Sequence, residues 1–309
     1  MPDLLVLYEH PEWFRPLWAA LNRAGIAYEA RTLADHVFDP AERRLPAPVV
    51  FNRLAMSSFL RQEEHALFYT QALMAHYEHT GARVLNGSAA LSFDLSKARQ
   101  HSLFAALGLE TPATRVVHRR ADVARAAAEL RWPVMVKANI GGSGAGMVRY
   151  DDAGDLALYA EEGSTPVGVD GVALVQEYVP ARDGRIYRCE TLNGRFLYAL
   201  SIAGAGATFD LCPADVCAAD RAEKGLSVAM ERFEPPAEIV QAVEQVAQAA
   251  RLDVGGVEYL IDDRDGAPRF YDINALSNFV ANPVDVLGFD PHDNLVEMIG
   301  REIAQAKAA

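Results

Sequence analysis

A short apolar run that ends in a lysine and leads directly into a glycine-rich stretch constrains this chain more than any other feature. The run covers residues 133–136, Lys137 follows it, and four of the six residues 141–146 are glycines. The apolar run predicts a strand, and glycines let a backbone approach an anion closely. Only four of the 29 Lys and Arg residues are lysines, which makes Lys137 a candidate cation for binding phosphate.

The order of lysine and glycines separates this loop from two better-known phosphate loops. In a P-loop the lysine follows the glycines, and a dinucleotide fingerprint of the form GxGxxG opens a helix. Here the lysine comes first, and residues 147–150 predict a strand. A glycine-rich flap that closes over nucleotide phosphates fits better. From this segment alone, a flexible hairpin with a solvated lysine stays open as the alternative.

The bulk properties are those of a globular chain. It has 309 residues, 50% of them hydrophobic, a formal net charge of −13 and a pI near 5.1. This charge argues against nucleic-acid and anionic-membrane partners, and no apolar run reaches the length of a membrane span. An acidic residue lies in the N-terminal region, where a signal peptide needs basic residues. The three cysteines show no pattern of disulfide pairs. We therefore expect a cytoplasmic protein with reduced thiols; self-association is left open.

The predicted secondary structure of the first third of the chain differs from that of the later part. Apolar strands alternate with amphipathic helices over the first third, which predicts a parallel α/β sheet. Turns at Asn193-Gly194 and Asp265-Gly266 predict antiparallel hairpins later in the chain. We expect a mixture of α/β and α+β architecture in three domains: a Rossmann-like N-terminal domain (1–90), a central subdomain with the glycine flap (91–178), and a C-terminal antiparallel subdomain (179–309).

Oxygen-bearing side chains are grouped on the second hairpin. Asp272 and Asn274 lie two residues apart on one strand, so they project from the same face, and Glu258 on the partner strand can lie beside them. Magnesium prefers such oxygen donors. The grouping predicts a metal site, with exposed polar residues of an antiparallel edge as the alternative.

From about residue 85 to residue 281 the chain resembles the ATP-grasp superfamily, and within it the RimK-like amino-acid ligases. Four passages carry the resemblance: residues 94–97 (DLSK) with 107–112 (LGLETP), the strand, lysine and flap of 133–146, residues 175–179 (VQEYV), and the hairpin strands 256–259 (GVEY) and 270–274 (FYDIN). The family normally has aspartate and glutamate where this chain has Glu258 and Asp272. Its Asp-Ile-Arg triplet begins here with Ile186 and ends at Arg188.

The resemblance implies the ATP-grasp fold and a site drawn from all four passages. The residues expected to bind ATP are Lys97, Lys137, Gly141, Gly142, Ser143, Gly144, Gln176, Glu177, Tyr178 and Val179. The expected ligands of Mg²⁺, with Mn²⁺ as an alternative ion, are Glu258, Asp272 and Asn274. Arg188 and Lys137 are the expected catalytic residues, with Arg188 facing the reacting carboxylate.

The activity that the resemblance implies is that of an ATP-dependent carboxylate–amine ligase. Such an enzyme forms an amide or peptide bond through an acyl phosphate, here with small-molecule carboxylate and amine substrates such as amino acids or small peptides. Two alternatives stay open: a kinase of the same superfamily that phosphorylates a small-molecule hydroxyl, and a non-catalytic ATP-binding module. Both would share the predicted nucleotide site.

Three further features concern an arginine, an asparagine and two cysteines. Arg53 ends a predicted strand where it could meet a substrate carboxylate, although a plain surface arginine is the expectation. Asn278 lies in the loop that shapes the acceptor-substrate site in the family. Cys212 and Cys217 are expected to be small buried thiols, because no second pair of zinc ligands follows them.

Overall fold

The structure is a computed structural model that describes residues 1–34, 36–61, 66–142, 146–204 and 228–308. Over these residues the strands form three sheets, one parallel and two antiparallel. The predicted combination of a parallel α/β part with an antiparallel part is thereby confirmed. Short 3₁₀ helices lie at Pro11–Phe14, Met56–Leu60 and Arg120–Asp122.

The first sheet is parallel throughout and has the strand order β2-β1-β3-β4. Its central strands β1 and β3 are buried along nearly their whole length, as expected for strands covered on both faces. The elements of this part are β1 (Leu4–Tyr8), α1 (Arg15–Arg23), β2 (Tyr28–Thr32), β3 (Val49–Arg53), α2 (Ala66–Thr80) and β4 (Arg83–Leu85).

Two helices connect the first sheet to the second: α3 (Ser88–Asp94) and α4 (Lys97–Ala106). Ser96 caps α4 by accepting a hydrogen bond from the Arg99 N–H at 3.2 Å. Lys97 therefore occupies the first position of α4.

The second sheet is antiparallel, with the order β5-β8-β6-β7. Its small core of mainly aliphatic side chains, with Tyr150 among them, is separate from the cores of the other sheets. Lys137, near the end of β6, pairs with Met147 on one side and Leu174 on the other. The elements are β5 (Thr114–Val117), α5 (Val123–Ala127), β6 (Val134–Ala138), β7 (Met147–Tyr150), α6 (Ala153–Glu161) and β8 (Ala173–Glu177).

The third sheet is antiparallel and has the order β11-β10-β9-β12-β13. Asn193 and Gly194 both have positive φ, 51° and 69°, as the predicted hairpin turn requires. The elements are β9 (Ala181–Leu192), β10 (Arg195–Gly204), β11 (Val228–Phe233), α7 (Ala237–Ala249), β12 (Val254–Asp262), β13 (Pro268–Asn274), α8 (Pro283–Leu287) and α9 (Pro291–Ala308).

The first and third sheets share one hydrophobic core. Val6 and Phe51 of the first sheet belong to the same buried cluster as Leu200, Val254 and, on α9, Ile299. The sheets occupy residues 4–85, 114–177 and 181–274. The domain boundaries at 90/91 and 178/179 stay a prediction.

Two further predictions concern the membrane and the cysteines. In the described parts of the chain, no helix combines the length and the apolar character needed to cross a bilayer. Cys189 is a buried free thiol, and burial raises its pKa above the ordinary range. Cys212 and Cys217 lie outside the described residues.

Candidate active site

The hairpin of β12 and β13 brings the three predicted metal ligands together. Glu258 and Asp272 are directly opposite each other across the hairpin. Asn274 Nδ2 lies 3.3 Å from Glu258 Oε1 and 3.5 Å from Asp272 Oδ2. The described residues contain no group of three or more His, Cys, Asp and Glu side chains that could hold a metal. The predicted trio instead combines two carboxylates with an amide. Its role as a metal site stays a prediction.

A bulge in β13 adds a residue that the sequence did not indicate. The register shifts between Glu258 and Tyr259, which leaves Tyr271 without a partner on β12. The side chain of Tyr271 interacts electrostatically with Glu258. Burial raises the pKa of Glu258, and the adjacent Asp272 carboxylate raises it further, while Arg188 opposes the shift. Tyr271 is therefore a close neighbour of the candidate metal ligand Glu258.

Both candidate lysines reach this hairpin, each from a different part of the fold. Lys97, at the start of α4, forms an ion pair with Asp272. Lys137 comes from the second sheet, and its Nζ lies 5.6 Å from the ring centroid of Tyr271. Burial and the neighbouring Lys97 lower the pKa of Lys137 to about 8, although Asp272 and Glu258 act in the opposite direction. Two cations and two carboxylates thus converge where the second and third sheets meet.

Arg188 lies on β9 next to the β12–β13 hairpin and is 6% exposed. Its Nε donates to Glu190 Oε1 at 2.6 Å and its Nη1 donates to Glu258 Oε1 at 3.0 Å. Burial lowers the pKa of Arg188, but the two carboxylates outweigh it and the pKa lies above the ordinary value. One charge-assisted hydrogen bond to each of two carboxylates fixes the guanidinium beside the candidate metal ligands.

The glycine flap is described at its two ends. Gly141 and Gly142 lie within the described residues, whereas Ser143 and Gly144 lie outside them. A Cβ added to Gly142 would be 3.1 Å from Ser57 Cβ and 3.2 Å from the Ser57 backbone nitrogen. The flap therefore begins in close contact with the 3₁₀ helix Met56–Leu60 of the first part of the chain. Gly146 accepts a hydrogen bond from the Ala138 N–H at 2.7 Å, which closes the hairpin.

Residues 175–179, the expected ATP-binding segment that we call the hinge, cover the end of β8 and the two residues after it. Backbone hydrogen bonds anchor this segment. The Glu177 N–H donates to the Ala113 carbonyl at 2.9 Å and the Tyr178 N–H donates to the Pro133 carbonyl at 2.8 Å. The Val179 N–H donates to no acceptor among the described residues, which leaves it as a backbone donor at the hinge. Adenine binding by Gln176, Glu177, Tyr178 and Val179 stays a prediction.

His101 is a second residue that sequence reasoning missed. Its Nε2 lies 3.0 Å from Gln176 Nε2, and burial together with Lys137 and Lys97 lowers its pKa to about 4. His101 is therefore a neutral imidazole at neutral pH. The sequence could have indicated His101, because it lies four residues after Lys97 and therefore on the same side of α4.

Arg53 is buried, and the expectation of a surface arginine was wrong. It is 2% exposed, because the end of β3 lies beneath the loop that follows β13. Its Nη2 donates to Asn278 Oδ1 at 2.7 Å and to the Ser277 carbonyl. Burial lowers the pKa of Arg53 to about 9. Its guanidinium carbon lies 5.3 Å from the ring centroid of Phe14 and 4.9 Å from that of Phe51.

Comparison with known sequences finds peptide-bond and amino-acid ligases, while no family model matches the chain. The chain is 28% identical over 204 residues to a D-alanine–D-alanine ligase of Pseudomonas fluorescens, covering 65% of this chain and 58% of that protein. It is 30% identical over 178 residues to a D-alanine–D-alanine ligase of Laribacter hongkongensis, covering 57% and 54%. A probable alpha-L-glutamate ligase of Pseudoalteromonas atlantica is 28% identical over 46% of each chain. The chain thus matches about half the length of these curated relatives.

Comparison with solved structures covers nearly the whole chain. The ATP-grasp ligase PsnB, in complex with a phosphomimetic variant of a minimal precursor, Mg and ADP, superposes with a TM-score of 0.71 at 17% identity over 98% of this chain and 100% of PsnB. A D-alanine–D-alanine ligase of Bacillus anthracis complexed with ATP gives 0.69 at 16% identity, over 100% and 99%. A RimK-domain ATP-grasp protein of Sphaerobacter thermophilus gives 0.68 at 15%, over 97% and 99%. At these identities the likeness shows the fold.

Proposed function

We propose that this chain, a member of the ATP-grasp superfamily by its fold, is an ATP-dependent carboxylate–amine ligase. One observation carries the proposal: Lys97, Lys137 and the Glu258, Asp272 and Asn274 trio come from distant segments and meet at one place. Sequence similarity to D-alanine–D-alanine and alpha-L-glutamate ligases supports the same activity. The substrates are inferred to be amino acids or small peptides.

The residues present fit a magnesium nucleotide. Two carboxylates and an amide are oxygen ligands of the kind that Mg²⁺ takes together with phosphate oxygens. The depressed pKa of Lys137 shows that its ammonium is incompletely compensated by the carboxylates around it, so an added anion such as phosphate would stabilise its charge. When bound, Mg²⁺ would neutralise part of the charge on the phosphates, and Mn²⁺ could serve with the same ligands.

The chain's own residues would act on the substrates as follows. Lys97 and Lys137 bind phosphate oxygens, and the hinge at Val179 offers a backbone N–H to the base. Arg188, held by Glu190 and Glu258, binds the substrate carboxylate and keeps it near the phosphates. The flap that starts at Gly141 excludes water that would hydrolyse the activated acid.

The proposed reaction has two steps. A carboxylate oxygen takes the γ-phosphoryl group, which gives an acyl phosphate and releases ADP. The amine nitrogen then forms a bond to the carbonyl carbon, and phosphate leaves with the electron pair of the broken C–O bond while the amine loses a proton. The cationic side chains of Lys137 and Arg188 stabilise the negative charge that develops in both steps.

The exchanged carboxylates are compatible with this site. Where the family has aspartate and then glutamate, this chain has Glu258 and Asp272, and the two stand opposite each other in the hairpin. Each strand still contributes one carboxylate, and the longer side chain faces the shorter one. Both strands would therefore still supply a carboxylate to hold Mg²⁺.

The test measures the release of ADP by the protein in the presence of Mg²⁺ and ATP, with different amino acids and small peptides offered as substrates. Mass spectrometry identifies the products. A ligase releases ADP and free phosphate in equal amounts and yields a product with the mass of acid plus amine less water. Glu258→Gln should abolish this turnover. ADP with a stable phosphorylated product and no free phosphate would instead identify a kinase, and nucleotide binding without any turnover would identify a binding module.

A further inference from the structure

The side-chain amide of Asn278 has a defined orientation. Arg53 Nη2 lies 2.7 Å from Asn278 Oδ1, and a guanidinium can only donate hydrogen bonds. The amide oxygen must therefore face Arg53, which leaves the two Nδ2 hydrogens directed away from it. Arg53 is 2% exposed, whereas Asn278 is half-buried and reaches the surface. Asn278 thus presents a hydrogen-bond donor on the side away from the buried arginine.

The loop that carries Asn278 is fixed on both sides. The Ala275 N–H donates to Asp94 Oδ1 at 3.1 Å, and the Ala275 carbonyl accepts from Asn86 Nδ2 at 2.6 Å. The Val280 N–H donates to the Tyr198 hydroxyl at 3.1 Å. Because these partners belong to three other elements of the fold, the position of Asn278 is set before any ligand binds.

The charge behind Asn278 favours an anionic ligand. Among the described residues Arg53 forms no ion pair: its Nη2 donates to a carbonyl and an amide oxygen, and its Nε and Nη1 make no hydrogen bond. An unpaired buried cation is costly, and its hydrogen bond to Oδ1 polarises the amide so that the Nδ2 hydrogens become stronger donors. Glu190 and Asp94 act on Arg53 only from a distance, as electrostatic neighbours. A negatively charged oxygen at Asn278 would complete this arrangement.

We propose that Asn278 is a substrate-binding residue whose Nδ2 donates to a carboxylate oxygen of the substrate, and that Arg53 is the positioning residue that orients and polarises it. The inference rests on the proposed ligase function, and it adds to Arg188 a second residue that binds a substrate carboxylate. Asn278 lies four residues after the candidate metal ligand Asn274, at the same end of β13. The carboxylate can belong to the acid that is activated or to an amine substrate that keeps a free carboxyl group.

Direct binding tests the proposal without requiring turnover. In ¹⁵N-labelled protein, the side-chain amide signal of Asn278 is assigned by its loss in Asn278→Asp. With Mg²⁺ and a non-hydrolysable ATP analogue present, amino acids and small peptides should shift this signal, and blocking the carboxylate that binds should remove the shift. C-terminal amidation and side-chain amidation, tested separately, identify which carboxylate it is. A signal that no carboxylate in the panel moves would overturn the proposal.

Kinetics provide a second readout. Asn278→Asp keeps the shape and pairs with Arg53, so the fold is retained, but it presents an oxygen in place of the donor. Loss of one hydrogen bond to a charged group predicts a KM for the carboxylate substrate that rises about 10-fold to 100-fold, with the KM for ATP little changed. Asn22→Asp, at an exposed position on α1, is the matched control and should leave both values unchanged.

Arg53 variants separate orientation from charge. Arg53→Gln can still donate to Asn278 Oδ1 but carries no charge, whereas Arg53→Met can do neither. We expect the KM for the carboxylate substrate to rise less in Arg53→Gln than in Arg53→Met. Equal effects on the KM for ATP and for the carboxylate substrate would indicate a purely structural role. If the wild-type protein shows no ADP release while the Asn278 signal still shifts, the ligase function fails and the binding site stands.

Discussion

At the scale of single residues, the charge of Lys137 is the most sensitive quantity in the candidate site. The ammonium group lies close to Lys97, Asp272 and Glu258, and burial is the largest cause of its lowered pKa of about 8. A phosphate group would stabilise the protonated form. We therefore expect Lys137 to bind an anion, and its replacement should weaken nucleotide binding directly.

We expect Lys137→Ala to weaken the binding of Mg²⁺ and ATP by about 10-fold or more, because it removes a hydrogen bond between charged groups. Isothermal titration calorimetry measures this affinity. Lys307→Ala is the matched control, since Lys307 is an exposed lysine that pairs with Asp3 at the surface. Unchanged nucleotide affinity in Lys137→Ala would contradict the assignment of this residue.

The same residue predicts a pH dependence. Below pH 8 Lys137 is largely protonated and above it largely neutral, so the affinity for ATP should fall as the pH rises from 7 to 9. Binding near pH 8 should also be accompanied by proton uptake, because phosphate favours the charged form. Calorimetry in buffers of different ionisation enthalpy measures that uptake. Lys137→Ala should lack it; a full uptake in this variant would assign the titration to another group.

At the scale of elements, strand β12 approaches its neighbour β9 closely at Gly256. A Cβ at this position would be 2.8 Å from Arg188 Nε and 2.9 Å from Nη2. An exposed arginine could move aside, but Arg188 is held by Glu190 and Glu258. Glycine in β12 is therefore needed for the guanidinium to lie beside Glu258 and the β12–β13 hairpin.

Gly256→Ala should displace Arg188 and lower kcat at least 10-fold while ATP still binds, because the hinge and lysines are untouched. Overpacking of this kind costs about 1–3 kcal/mol of stability. Gly300→Ala in helix α9 is the control: nothing lies within 4 Å of its added Cβ, and alanine should raise the free energy of unfolding by about 0.5–1 kcal/mol. Steady-state kinetics and urea unfolding measure both effects. Full activity in Gly256→Ala would show that Arg188 tolerates displacement.

At the scale of the whole molecule, Asn86 joins the first and third sheets. Its Nδ2 donates to the carbonyls of Val254 and Ala275, at 2.7 Å and 2.6 Å, and its Oδ1 accepts from the N–H groups of Asp253 and Val254. Arg83 adds ion pairs to Asp253 and Glu302. These contacts lie beside the hydrophobic core that the two sheets share.

Asn86→Ala should lower the free energy of unfolding by about 3 kcal/mol or more, because it leaves several buried backbone groups without partners. Because the core is shared, the first and third sheets should unfold in one transition rather than two. Urea denaturation followed by circular dichroism and tryptophan fluorescence measures both. Asn22→Ala, at an exposed site, should change stability by no more than about 0.5 kcal/mol. A separate early transition for the first sheet would argue against a common core.

Local sequence patterns were sufficient for several features of the fold. The alternation of apolar strands and amphipathic helices predicted the parallel first sheet, and the asparagine-glycine turn predicted the hairpin of β9 and β10. Strand alternation placed Asp272 and Asn274 on one face. These properties depend on residues that are close in the chain, so a short window contains the physics that decides them. The ATP-grasp resemblance likewise rested on the order and spacing of short motifs.

Contacts between distant segments were decided only by the tertiary structure. Lys97 and Asp272 are 175 residues apart, and Arg53 and Asn278 are 225 apart. The burial of Arg53, the bulge that frees Tyr271 and the neutral His101 beside Gln176 follow from how the sheets pack. The local sequence around an arginine does not show whether the side chain is exposed or buried, because burial depends on whether another part of the chain covers it. The sequence alone therefore determined which chemical groups the site contains, and the packing of three sheets decided which of them touch.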